Sequence, residues 1–185
     1  MEIKDSLAKI YLISGKARHG KDTFSNYLKE CYLKNNKKVI VTQLSKYIKY
    51  YAREMTGWNL TEEDKPRALL QELGTDIIRV KLNKEDLFIK RMIEDIEIFS
   101  CFYDAIIISD VRFKKEIDDL RDSYPNLIAI NIFRPNFDNG LSEEQKNHKT
   151  EIDLDDYDKF DYKIINTTLE KLEEDAKKIY TEIES

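Results

Sequence analysis

A stretch near the start of the chain has residue types and spacing that suit the binding of phosphate. Residues 15–23 read G-K-A-R-H-G-K-D-T, the pattern G-x-x-x-x-G-K followed by Asp where Ser or Thr is usual. A run of β-forming residues at 10–14 precedes it, and apolar residues at helical spacing follow it over 24–32. This strand, turn and helix are the context that the motif requires, in which backbone N–H groups point at an anion. Lys21 would then reach the β- and γ-phosphates of a nucleoside triphosphate. The predicted contacts of the triphosphate are Gly15, Lys16, Ala17, Arg18, His19, Gly20, Lys21, Asp22 and Thr23.

Two carboxylates are candidate ligands of a divalent cation. Asp22 stands where a hydroxyl normally faces Mg²⁺, and a carboxylate is also a hard oxygen ligand. The alternative is that Asp22 only favours the N-terminus of the helix electrostatically. Asp110 directly follows the predicted strand at 105–109, where an acid could hold Mg²⁺ or its waters, with a helix N-cap as the alternative. Asp22 and Asp110 are therefore the predicted metal ligands.

Arginines that follow predicted strands could stabilise charge on a phosphoryl group. Arg112 lies two residues beyond Asp110, and its planar guanidinium could grip a phosphoryl group, with a surface position as the alternative. Arg134 follows the predicted strand at 127–132 and is placed like an arginine that stabilises a transferring phosphoryl group. The predicted catalytic residues are Lys21, Asp110, Arg112 and Arg134.

A second set of residues could bind a phosphate-bearing second substrate. Arg67 and Arg79 are 12 residues apart, so both could point to one side of a helical segment. Solvated surface charge is the alternative for both. An aromatic residue such as Tyr47 could stack on a base, and core packing is its alternative role. The predicted substrate contacts are Lys46, Tyr47, Arg67, Thr75, Arg79 and Arg112.

The apolar pattern predicts a sheet that would position these side chains. Strands that alternate with helical patterns indicate an α/β sandwich around a parallel sheet, with ligands at the carboxyl ends of the strands. Segments 45–100, which is helical, and 135–161, which is polar and acidic, follow such ends. We expect a single domain, residues 1–185, in which both segments fold over a bound ligand. The strands are expected at 10–14, 39–42, 105–109, 127–132 and 162–165.

The bulk properties limit the class of partner. A formal net charge of −5 over 185 residues argues against non-specific binding of nucleic acid. No apolar run approaches the length that spans a membrane. Cys31 and Cys101 lie in apolar patterns far apart in the sequence, so we expect reduced thiols and a cytoplasmic protein.

Four motifs follow one another along nearly the whole chain and resemble those of a known family. They are the loop at 15–23, L-L-Q-E-L-G-T-D-I-I-R at 69–79, S-D-V-R-F-K-K-E at 109–116 and H-K-T-E at 148–151. In this order they resemble the deoxynucleoside monophosphate kinases of bacteriophages and related bacterial genes. The G-K-D form of the loop is also similar to that of animal-type phosphomevalonate kinases, whereas L-G-T-D-x-x-R is the more specific signal.

The resemblance implies a fold and an activity. The fold is a P-loop NTPase three-layer sandwich of the nucleoside monophosphate kinase type, with strand order 2-3-1-4-5, a monophosphate-binding insertion at 45–100 and a lid at 135–161. The reaction is phosphoryl transfer from ATP to a deoxynucleoside monophosphate with Mg²⁺. The matching motifs assign Lys21, Asp22 and Asp110 to ATP and Mg²⁺, Arg67, Arg79 and Arg112 to the monophosphate, and Arg134, His148, Lys149 and Glu151 to the lid.

This chain departs from the pattern in one respect, and two other functions remain open. Relatives of this fold often carry several lid arginines, whereas segment 135–161 contains none. Lys146 and Lys149 could substitute, or Arg112 and Arg134 could carry the charge. The alternatives are a kinase of another small phosphorylated acceptor, such as phosphomevalonate, and a nucleotide-binding regulator without turnover. A homodimer is compatible with either.

Overall fold

The computed structural model describes residues 3–4 and 6–185, in which five parallel strands form one sheet. The strand order is β2-β3-β1-β4-β5. This order confirms the α/β class and the order implied by the family resemblance. The strands are β1 (Lys9–Ser14), β2 (Val39–Thr42), β3 (Ala105–Val111), β4 (Ile128–Phe133) and β5 (Tyr162–Ile165).

Helices cover both faces of the sheet. Helices α1 and α8 pack on one face, and α4 and α5 pack on the other, which gives three layers. The helices are α1 (Lys21–Lys34), α2 (Lys46–Thr56), α3 (Arg67–Gln71), a π-helix (Glu72–Lys81), α4 (Leu87–Ser100), α5 (Lys114–Ser123), α6 (Glu143–Lys146), α7 (Lys149–Ile152) and α8 (Leu169–Glu184). Among the described residues, no helix has the length and apolar character needed to cross a membrane.

The central strands are buried on both faces, which explains their unbroken apolar sequences. In β1, Ile10 and Leu12 join the core beneath α4 and α5, while Tyr11 and Ile13 join the core beneath α1 and α8. Successive residues of a strand point to opposite faces, so a strand covered on both sides is apolar at every position. The same holds for β3, whose residues 105–109 are all buried.

The segment 72–81 differs from the ordinary helix that its apolar spacing predicts. It winds as a ten-residue π-helix, in which each N–H bonds to the carbonyl five residues earlier. Residues five apart therefore lie close to one another along the helix. Leu73 and Ile78 form its buried face, and the side chain of Arg79 donates to the carbonyl of Gly74 at 2.7 Å. The wider winding decides which side chains this segment presents to the site.

Candidate active site

The turn between β1 and α1, residues 15–20, wraps closely against the sheet and is called the phosphate loop below. Gly15 has a φ of +142°, and a Cβ at this position would lie 2.3 Å from the carbonyl oxygen of Ile132. Gly20 has a φ of +102°, and its added Cβ would lie 2.5 Å from the side-chain amide of Asn166. Both positions favour glycine, because other residues rarely adopt such backbone angles, and at Gly15 the neighbouring backbone carbonyl also leaves no space for a side chain.

Lys21 is the first residue of α1, and its side chain folds back over the phosphate loop. Its ammonium nitrogen donates to the carbonyl oxygens of Gly15 and Lys16, both at 2.8 Å. The residue is only 8% exposed. Burial, reinforced by the positive charge of Arg112, lowers the pKa of Lys21 to about 7. A phosphate close to this nitrogen would favour the charged form.

The end of β3 carries the second group of candidate residues. The carboxylate of Asp110 accepts the N–H groups of Leu44 at 2.7 Å and Ser45 at 3.0 Å. It therefore holds the turn between β2 and α2 against the sheet. The guanidinium of Arg112 donates to the carbonyl of Gly15 at 3.2 Å and to Glu151 at 2.7 Å. Asp110 thus ties the turn after β2 to the end of β3, and Arg112 ties the end of β3 to the phosphate loop and to α7.

Helix α7 places Glu151 directly on the phosphate loop. One carboxylate oxygen accepts the N–H of Ala17 at 2.9 Å, and the other accepts the Arg112 guanidinium. The imidazole of His148 caps α7 by accepting the N–H of Thr150 at 3.3 Å. The ammonium of Lys149 lies 5.7 Å from the centre of the Phe113 ring. Within this described segment, the side chain of Glu151 thus reaches the phosphate loop, whereas the recorded contacts of His148 and Lys149 are with Thr150 and Phe113.

A cavity of about 500 Å³, called the central cavity below, lies between the phosphate loop, the end of β3 and segment 45–100. Its lining includes polar and charged residues from all three parts, and the short helices α6 and α7 form its rim. The sequence-predicted site residues that line it are Ala17, Arg18, Lys21, Asp22, Arg67, Thr75, Arg79, Asp110, Arg112 and Glu151.

Other predicted residues lie away from the central cavity. The ammonium of Lys46 pairs with Asp95 and lies 5.2 Å from the ring centre of Tyr47, whose hydroxyl also donates to Asp95. Both are thereby tied to α4. Gly15, Lys16 and His19 line a smaller cavity of about 250 Å³ beside β4. Thr23, like Gly20, lines neither of these cavities.

Arg134 lies on the outer side of the phosphate loop. Its N–H donates to Nδ1 of His19 at 3.1 Å, and its guanidinium lies 4.0 Å from the ring centre of Phe137. Burial lowers the pKa of His19, which suits the neutral imidazole that this hydrogen bond requires. The structure does not bring Arg134 into the central cavity with Lys21 and Arg112.

Lys49 and Glu116 line the central cavity as charged residues that were not among the predicted site residues. Lys49 on α2 is half-buried and donates to the side chain of Gln43, and burial lowers its pKa. Glu116 on α5 is 3% exposed and accepts the Arg79 guanidinium at 2.8 Å. In the sequence, Lys49 is distinguished only by its position directly after Ile48 of the apolar pattern, which gives little indication of a role in the site. Glu116 stands in the S-D-V-R-F-K-K-E motif, which was a stronger signal.

Solved structures share the fold of this chain. The APS kinase of Mycobacterium tuberculosis, in complex with AMPPNP and APS, superposes with a TM-score of 0.56 at 10% identity, over 96% of this chain and 98% of that one. A gluconokinase of Sinorhizobium meliloti 1021 superposes with a TM-score of 0.51 at 11% identity, over 96% of this chain and 94% of that one. The strand order, the phosphate loop and these similarities define a P-loop kinase fold.

The sequence comparison identifies the family. The family model for deoxynucleotide monophosphate kinase matches residues 54–178, which is more than half of the chain. The chain therefore belongs to the deoxynucleotide monophosphate kinase family. The matched range contains three of the four motifs, at 69–79, 109–116 and 148–151, and the phosphate loop precedes it. No curated protein sequence matches the chain significantly.

Proposed function

We propose that the protein transfers the γ-phosphoryl group of ATP to the phosphate of a deoxynucleoside monophosphate and releases ADP and the nucleoside diphosphate. The observation that carries this proposal is that cations from two different parts of the chain line one cavity. Lys21 at the start of α1 and Arg112 just after β3 line it beside the phosphate loop, and Lys49, Lys65 and Arg67 line it from segment 45–100. Two groups of cations suit two phosphate-bearing substrates that meet end to end.

The phosphate loop suits the triphosphate of ATP. The turn runs into the N-terminus of α1, where backbone N–H groups and the helix dipole favour an anion. Lys21 would exchange its two carbonyl acceptors for phosphate oxygens. Arg18 and Ala17, which also line the central cavity, lie along the path of the phosphate chain.

Two carboxylates that line the central cavity suit a bound Mg²⁺ ion. Asp22 and Asp110 line the cavity together and offer hard oxygen ligands. Among the described residues, no group of three or more acidic, His or Cys side chains could enclose a metal ion. This donor set therefore suits a cation that keeps waters and binds phosphate oxygens, as Mg²⁺ does. Bound there with ATP, Mg²⁺ would neutralise charge on the β- and γ-phosphates.

The other residues of the site would act by position and charge. The acceptor phosphate is already an anionic nucleophile at neutral pH, so no general base is needed. Lys49 and Arg67 would hold that phosphate, while Lys21 and Arg112 would stabilise the transferring group. Helices α6 and α7, at the rim of the cavity, would exclude water and suppress hydrolysis of ATP.

The acceptor side of the cavity has groups that suit a nucleoside. Gln71 and Thr75 offer hydrogen-bonding side chains, and Phe88 and Phe113 supply an apolar wall beside them. Such a combination of an apolar wall and a few polar groups is typical of a pocket for a base and sugar. The family name supports a deoxynucleotide as the acceptor.

We also propose the cytoplasm as the location, since ATP and nucleoside monophosphates are available there. Cys31 and Cys101 are free thiols, as is usual in a reducing compartment.

The test is a coupled assay of ADP release with ATP and Mg²⁺. The acceptors are dAMP, dGMP, dCMP, dTMP and dUMP, their ribose forms, and phosphomevalonate. We expect ADP only when a nucleoside monophosphate is present. Turnover with phosphomevalonate alone would assign a different acceptor, and ATP binding without acceptor-dependent ADP would indicate a regulator.

Matched variants control this assay. Lys21→Met should lower kcat/KM by about 10²–10³-fold, because it removes a charge that stabilises the transferring group. Lys29→Met, on the same helix and outside the central cavity, should retain activity. Full activity of Lys21→Met would contradict the proposed role of the loop.

A further inference from the structure

Glu151 makes the contacts with the phosphate loop that a phosphate group would make. Its two carboxylate oxygens accept the Ala17 N–H at 2.9 Å and the Arg112 guanidinium at 2.7 Å. Its side chain is only 7% exposed, so the carboxylate is held inside the site. A loop N–H and an arginine are the donors that bind phosphate oxygens in nucleotide sites.

A carboxylate and a phosphate compete for these donors. A single N–H makes one strong hydrogen bond, so Ala17 cannot serve Glu151 and a phosphate oxygen together. Two anionic groups at the same N–H would also repel each other. Binding of the triphosphate in the phosphate loop therefore requires Glu151 to leave.

The contacts around α7 indicate which part of the chain would move with Glu151. The residues that follow are tied to α5, where Asp153 accepts the N–H of Lys114 at 2.8 Å and the buried Tyr157 donates to Asp118 at 2.9 Å. Asp155, between them, pairs with Lys16 of the phosphate loop at 2.8 Å. The segment 141–151, which holds α6 and α7, would swing about the anchored residues once Glu151 is released.

Building on the proposed function, we propose that Glu151 is an internal substitute for a phosphate of ATP. Its carboxylate holds segment 141–151 on the loop and neutralises Arg112. ATP displaces it, and Arg112 is then available to the transferring phosphoryl group. ATP binding is thereby coupled to the position of the lid, and the affinity for ATP is reduced by the contacts of Glu151 that must be broken.

The test is the affinity for ATP without an acceptor, measured by titration calorimetry on the full chain. Glu151→Gln keeps the shape and one carbonyl acceptor but removes the charge that pairs with Arg112. We expect it to bind ATP about fivefold or more tightly than the unaltered protein. Inorganic tripolyphosphate, which probes the loop alone, should show the same gain. The matched control is Glu144→Gln, an exposed lid position outside the central cavity, which should bind ATP as the unaltered protein does.

Hydrogen exchange of the unaltered protein gives a second readout that needs no variant. The amides of 148–152 should exchange faster when ATP is added without acceptor, and in Glu151→Gln they should already exchange fast without ATP. Unchanged or weaker ATP binding by a folded Glu151→Gln, or slower exchange of 148–152 on ATP binding, would overturn the role of Glu151. If Glu151→Gln does not fold, the exchange experiment decides alone.

The two proposals fail in different ways. If the protein turns over a nucleoside monophosphate but Glu151→Gln binds ATP no more tightly than the unaltered protein, only the proposed role of Glu151 in place of a phosphate is overturned. Tighter ATP binding by Glu151→Gln without turnover of any nucleoside monophosphate would overturn only the proposed reaction.

Discussion

Arg79 and Glu116 form a buried ion pair, with 2.8 Å between the guanidinium nitrogen and the carboxylate oxygen. The second oxygen of Glu116 accepts the N–H groups of Arg112 at 2.9 Å and Phe113 at 3.1 Å. The Arg79 guanidinium also lies 4.4 Å from the centre of the Phe113 ring. The pair therefore joins the π-helix of segment 45–100 to the turn that carries Arg112. Arg79 forms a wall of the central cavity, and its charge is already balanced by Glu116.

Loss of the Glu116 carboxylate should destabilise the protein. In Glu116→Ala the Arg79 charge stays buried without its partner, so we expect the free energy of unfolding to fall by about 3–5 kcal/mol. Urea unfolding followed by circular dichroism measures the change. The control is Asp119→Ala on the same helix, whose pair with Lys115 is much more exposed. A similar loss in both variants would contradict the structural role of the buried pair.

Binding of ATP should take up a proton at alkaline pH. Burial lowers the pKa of Lys21 to about 7 from an ordinary value of 10.5, and the phosphates of ATP would raise it again. Between these two values the binding reaction protonates Lys21, and below about pH 7 it does not, because the lysine is already charged. Calorimetry at about pH 8.5 in buffers of different ionisation enthalpy measures the uptake.

The same pKa shift has a consequence for stability. Because the pKa of Lys21 is lower in the folded than in the unfolded state, the free energy of unfolding should rise with pH between about 7 and 10.5. Lys21→Arg, which stays protonated throughout, should show neither proton uptake nor this rise. If the heat of ATP binding to the unaltered protein at about pH 8.5 does not depend on the buffer, the predicted proton uptake by Lys21 is contradicted.

Gly15→Ala should damage both stability and ATP binding. Its backbone has a φ of +142°, and the new Cβ would lie 2.3 Å from the backbone carbonyl oxygen of Ile132, which cannot move aside alone. Gly57 also has a positive φ, of +73°, but an added Cβ meets nothing within 4 Å there. Gly57→Ala should therefore lower the free energy of unfolding only by the cost of the left-handed backbone conformation, about 1–2 kcal/mol. Its affinity for ATP should be unchanged. Thermal unfolding and ATP titration compare the two, and equal effects would show that the contact with Ile132 is unimportant.

Lys49→Met should weaken the binding of the acceptor. Lys49 lines the central cavity, as Lys65 does, and its ammonium donates to the side-chain oxygen of Gln43. We expect KM for the nucleoside monophosphate to rise by about tenfold, as for the loss of one charged hydrogen bond, with KM for ATP little changed. The control is Lys90→Met, an exposed position on α4. A rise in KM for ATP alone would place Lys49 on the other substrate.

The local parts of the fold and site could be predicted from the sequence. The strands at 105–109 and 10–14 contain unbroken apolar runs at 105–108 and 10–13, which in a chain of alternating strands and helices indicate a sheet covered on both faces. The phosphate loop could be recognised because its function depends on glycines and a lysine within one short stretch. Asp110 could be placed at the edge of the sheet because parallel strands end together there.

The partners of these residues were decided by the tertiary structure. Glu151 and Ala17 are 134 residues apart and Arg79 and Glu116 are 37 apart, so no spacing rule relates them. The π-helix also packs closely on α2, since at Gly74 a Cβ would lie 2.8 Å from Cδ1 of Ile48. A sequence pattern shows the spacing of residues within one helix or strand, whereas these contacts depend on how separate helices and strands pack together. The sequence thus determined which groups are available for phosphate chemistry, and the packing determined which of them are already occupied by a partner.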